Sequence, residues 1–150
     1  MVSSHGPILA AAALALLVLG LTTALHYEGL KLLGNPRRES PWRSGPVFAI
    51  TVLVSLHLVE IGLYAAGYAM GVQALDLGVL RGAVAASGLD YFYFAAETYS
   101  TLGYGDVVPT GALRLLASVE PLNGLLLLAW SGAFLFRHLD EWDDRRADRT

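Results

Sequence analysis

Cysteine is missing from all 150 residues, which excludes disulfides, thiolate metal centres and cysteine nucleophiles. Charge is scarce as well: Asp, Glu, Lys and Arg make up 15% of the chain and nearly cancel, leaving a formal net charge of -3. The basic residues gather in two short places rather than on one broad face, so nucleic acid is not an expected partner. Serines and histidines occur, but no nucleophile, base and orienting acid can be placed together, and an enzyme is not expected. No segment of helical length carries a ladder of arginines, which removes a voltage sensor of the usual kind.

Apolar side chains fill the space these absences leave. The chain is 55% hydrophobic with a mean hydropathy of +0.51, the composition of a membrane protein. A bilayer core takes about 20 apolar residues to cross as a helix, and three runs qualify. Residues 7–25 carry no charge, and a helix is placed there at 7–29; residues 46–70 contain only Glu60; residues 112–136 contain only Arg114 and Glu120. The first run lacks the basic flank and cleavage site of a signal peptide, so a retained helix is expected.

Residues 71–111, between the second and third runs, are too polar to cross as a simple helix. Residues 30–45 form a basic loop, with Lys31, Arg37, Arg38 and Arg43 against Glu39, and belong on the cytoplasmic side. The tail, 137–150, carries Arg137, Arg145, Arg146 and Arg149 among acids. Loop and tail share a side only if 71–111 dips in and returns. The N-terminus is then outside and the C-terminus cytoplasmic.

Within the re-entrant stretch, Asp90 is placed to cap a short helix over 90–101, half the length of a crossing. Its carbonyl end carries partial negative charge and favours cations. Thr101, Leu102, Gly103, Tyr104, Gly105 and Asp106 follow directly. Non-helical backbone at membrane depth is tolerated only where protein covers it or it lines a watery path. Alternate glycines allow its carbonyls to face a common axis and replace the water shell of a monovalent cation.

The stretch YFAAETYSTLGYGDVVP, residues 93–109, resembles the pore helix, selectivity filter and exit of the potassium channel family, bacterial pore-only type, here with an extra N-terminal helix. The layout matches over about 46–136. The resemblance, together with the three apolar runs, implies an all-α membrane protein with three crossing helices and a re-entrant pore helix, working as a homotetramer in a bacterial inner membrane. Potassium would be bound by main-chain oxygens of Thr101, Leu102, Gly103 and Tyr104, with Gly105 completing the filter and Tyr104 packing it from behind. No cofactor is implied beyond the permeant ion. Glu97 and Asp106 match an acidic pair behind the filter, in which two close carboxylates share a proton, with Tyr93 as a further donor; the alternative is that Asp106 faces outer water and Glu97 bonds a neighbouring backbone group. A poorly selective cation channel and a non-conducting subunit that keeps the pore fold are the alternatives.

The third helix departs from the family at Glu120 and Pro121, one turn before Gly124, the expected hinge glycine. Proline there builds in a kink, which leaves Gly124 either as a hinge or as a packing glycine. On a helical wheel Glu120 shares a face with Asn123, Gly124, Leu127 and Ser131, while Leu125, Leu128 and Gly132 face elsewhere, toward the ion cavity. In the second helix His57, Glu60, Tyr64 and Tyr68 form one polar stripe. Counting inward from the outer ends brings His57, Glu60 and Glu120 together as a buried cluster, either structural or proton-sensing. The first helix, rich in alanine with Gly20, either packs on the outside of the pore through small residues or is a lipid-facing anchor; His26, Tyr27 and Glu28 read as interfacial groups, and no metal is expected there.

Overall fold

The computed structural model describes residues 5–34, 46–82 and 87–147. Arg37, Arg38, Glu39 and Arg43 of the basic loop lie outside the described residues. Three helices are long and apolar enough to span a bilayer: α1 (His5–Leu33), α2 (Pro46–Gln73) and the Leu113–His138 part of the last helix. Helix α1 is longer than the expected 7–29, so residues 30–33 of the expected loop are helical.

Small residues let these helices approach one another. A side chain at Gly67 would lie 3.1 Å from Val18 Cγ2, and one at Gly71 would lie 2.7 Å from Leu113 Cδ1. The two glycines sit one turn apart on α2, so α1 and the last helix both close onto the same face of α2. From α1 the buried stripe is Ala11, Leu14, Ala15, Val18, Thr22, His26 and Leu30. Gly20 is exposed with open space around it and is not part of that stripe.

After α2 the chain forms strand β1 (Leu80–Arg81) and helix α3 (Gly88–Tyr99), then strand β2 (Val108–Pro109) and α4 (Leu113–Ala147). The strands pair antiparallel, Leu80 with Pro109 and Arg81 with Val108. Thr110 reinforces the pair: its hydroxyl accepts from Val79 N at 2.9 Å and donates to Val79 O at 3.0 Å. This small clamp fastens the segment after α2 to the segment after the TLGYG stretch.

Helix α3 starts three residues earlier than the Asp90 cap implies. Ser87 is the N-cap, and Asp90 supplies the other half of a capping box, accepting from Ser87 N at 2.9 Å. Asp90 at the third position reaches back to the cap instead of being the cap. Helix α4 runs unbroken through Pro121 as far as Ala147, so most of the expected tail continues the helix.

The core lies where α1, α2, α3 and α4 converge, with Tyr64, Tyr68, Tyr91, Phe94, Tyr99, Leu113 and Leu116 at its centre. Outside it, Leu122, Leu125, Leu126 and Phe136 of α4 stay exposed.

Candidate functional site

Helix α3 ends at Tyr99 with Ser100 as its C-cap, and the five residues from Thr101 to Gly105 leave helical geometry in alternating steps. Thr101 has φ +60°, Gly103 φ +56° and Gly105 φ +79°, whereas Leu102 and Tyr104 do not enter the positive region. Glycine takes these angles freely; threonine does so at a cost of roughly 1–2 kcal/mol. The turn is held because Leu102 N and Gly103 N both donate to Glu97 O, at 2.9 and 3.2 Å. Every residue from 101 to 106 is exposed in the single chain, Leu102 by 57% and Tyr104 by 67%.

Glu97 supports this backbone from α3. Its side chain is buried and accepts from Tyr104 N at 3.1 Å. Asp106 is exposed and accepts instead from Tyr93 Oη at 3.0 Å. The two carboxylates expected to share a proton thus bond different donors. Burial, together with the Asp106 charge, still raises the Glu97 pKa, and the bond from Tyr104 only partly offsets it. The Tyr104 ring stacks on Tyr93, 6.4 Å between centroids and 4° from parallel.

Behind α3 a polar network joins all four helices. Glu60 Oε1 lies 2.8 Å from His26 Nδ1, and Glu60 Oε2 lies 2.9 Å from His57 Nδ1. Tyr99 donates to the same Oε2 at 2.6 Å. His57 Nε2 meets Ser131 Oγ at 3.0 Å. One turn or two outward, Asn123 donates to Thr22 Oγ1 at 2.7 Å and to Tyr64 Oη at 3.0 Å, and accepts from Thr23 at 3.3 Å.

Glu120 is not part of the His57 and Glu60 cluster. It is fully buried and takes its hydrogen bond from Tyr68, with Oε1 left without a partner among the described residues. The α2–α4 register explains why. Tyr68, Tyr64 and His57 face Glu120, Asn123 and Ser131 in that order, so Tyr68 rather than Glu60 is level with Glu120. Glu60 lies eight residues from Tyr68, about 12 Å along the axis at 1.5 Å per residue.

His26 is the residue the sequence misplaced. It is completely buried, not interfacial. Because α1 reaches Leu33, His26 lies almost two turns inside its end, and the four-residue step from Thr22 continues the inward stripe. That spacing was the available signal.

Gly124 packs directly under the end of α3. A side chain there would strike the Tyr99 carbonyl and come within 3.0 Å of its ring. Close approach of α4 to α3 thus requires glycine at this point. Leu125, Leu128 and Gly132 are exposed, on a different face from Glu120 and Asn123.

Residues 68–141 match the family described as ion channel. The chain is also similar to the inward rectifier potassium channel Kirbac3.1 of Paramagnetospirillum magnetotacticum, with 37% identity over 95 residues, covering 62% of this chain. It spans about 30% of the length of that relative.

Proposed function

We propose, from the similarity of residues 68–141 to the ion channel family, that the chain is a potassium-selective channel of that family acting as a homotetramer. The observation that carries this reading is the backbone of 101–105, with left-handed angles at every second residue directly after a half-length helix. In a regular strand successive carbonyls alternate sides; sign changes in φ at alternate residues let neighbouring carbonyls share one. Carbonyls of Thr101, Leu102, Gly103 and Tyr104 then replace the hydration shell of potassium, and the C-terminal end of α3 adds favourable partial charge.

The exposure of this backbone supports assembly. One chain leaves residues 101–106 uncovered, which is not tolerated at membrane depth without further protein or a water-filled path. Four copies around an axis would supply both. Glu97 fixes the filter through Tyr104 N, and Tyr93 steadies Asp106. Flux would be passive, across a bacterial inner membrane, with the N-terminus outside and the C-terminus in the cytoplasm.

Flux from the purified chain in liposomes tests the proposal. Potassium should pass, sodium should not, and barium should block. Equal sodium and potassium flux would identify a poorly selective cation channel. No flux from a folded tetramer would identify a non-conducting subunit.

A further inference from the structure

His26 and His57 turn the same ring atom, Nδ1, toward the two oxygens of Glu60, and one donor atom from each of the three residues lies within 4.8 Å of the others. His26 and Glu60 are 0% exposed and His57 is 9% exposed. On the far side of both rings stands one hydroxyl, with Ser131 Oγ 3.0 Å from His57 Nε2 and 3.5 Å from His26 Nε2.

Donor counting constrains this arrangement. If both Nδ1 atoms carry protons toward Glu60, both Nε2 atoms are acceptors, and Ser131 has one proton for two of them. In the other tautomer both Nε2–H groups donate to Ser131 Oγ, which has lone pairs for both. Two bare Nδ1 lone pairs and a carboxylate then converge, with the Tyr99 hydroxyl as the one donor beside them. Neutral imidazoles oriented by an outer hydrogen bond, with an ionised carboxylate, are the forms that ligate metal.

We propose that His26, His57 and Glu60 bind one divalent transition-metal ion per chain, of the zinc and cobalt class. Two imidazoles and a carboxylate form a set suited to these ions, with a fourth position left open. Tyr99 Oη, 2.6 Å from Glu60 Oε2 and 3.0 Å from His57 Nδ1, borders that position. Ligand bonds of about 2.0–2.1 Å at tetrahedral angles set donor atoms ~3.3 Å apart. The present contacts of 2.8 and 2.9 Å thus open by about half an ångström when a metal enters between the Nδ1 atoms and Glu60. The ligands come from α1 and α2, Ser131 from α4 and Tyr99 from the end of α3. A bound ion ties α1 to the pore two residues from Thr101.

The test is spectroscopic and does not depend on ion conduction. The purified full chain, stripped with chelator, is titrated with Co2+. One Co2+ per chain with the visible ligand-field band of a four-coordinate site is expected, displaced by equimolar Zn2+. His26→Gln and His57→Gln should abolish the band, and Ser131→Ala should weaken binding by about 10–100-fold. The chain has 4 histidines, so a His5→Gln, His138→Gln double variant, altered away from the cluster, leaves only His26 and His57. Retention of the band in that variant supports the site even if the cluster variants fail to fold. Loss of the band there, absence of a band in the wild type, or an unchanged band in folded His26→Gln overturns it.

Discussion

Tyr99 donates a 2.6 Å hydrogen bond to Glu60, so the residue that ends α3 is anchored to a buried carboxylate on α2. Tyr99→Phe keeps the ring, which is 1% exposed, and removes the donor. Leaving a buried acceptor short of a partner costs about 1–3 kcal/mol. A lower unfolding temperature of the purified protein is expected, and potassium selectivity should fall as the segment before Thr101 loosens. Unchanged melting would show that the bond contributes nothing measurable.

Gly124 and Gly132 separate packing from hinge bending in α4. Gly124→Ala places a methyl against the Tyr99 carbonyl, whereas Gly132→Ala enters open space. Overpacking costs roughly 1–3 kcal/mol. Gly124→Ala should therefore lower thermal stability and flux, with Gly132→Ala close to wild type in melting. Equal melting of the two variants would remove the packing account.

Glu97 gives a pH dependence with a definite sign. Its pKa is raised above 4.5, first by burial and then by the Asp106 charge. A carboxyl raised in the folded state contributes stability that is full below its unfolded pKa and lost as pH rises through the folded pKa. Between 4.5 and the raised value, the filter support weakens with rising pH. Persistence of potassium flux should fall across that window in the wild type and be flat in Glu97→Gln. The same slope in both would exclude Glu97 as its source.

Asn123 tests how firmly α1 is held to α2 and α4. It makes three side-chain hydrogen bonds, to Thr22, Thr23 and Tyr64. Interhelical bonds in membranes average about 0.6 kcal/mol, so Asn123→Ala should cost about 2 kcal/mol in total. Crosslinking between α1 and α4, followed after heating, should decline before α2–α3 contacts do.

Much of this arrangement was legible in the chain. The three apolar runs, the half-length helix and the glycines at 103 and 105 are local features, since length, polarity and backbone freedom are properties of consecutive residues. The inward face of α4 was legible for the same reason: helical period alone puts Glu120, Asn123 and Ser131 on one side. Ser87 was not recognised as the cap because Asp90 is an equally good capping residue, and only the helix start separates a cap from the third position of a capping box.

Sequence by itself thus determined which segments are long and apolar enough to cross a membrane, where the helix breaks, and which polar residues turn inward. Tertiary structure alone decided their partners. Gly67 and Gly71 set how closely α1 and α4 approach α2, and that fit fixes a register that no single helix encodes. It sends Glu120 to Tyr68 rather than to His57, and it brings His26 from α1 onto Glu60. A helix specifies the direction of its side chains, but the depth at which two helices meet comes from the shapes of both surfaces.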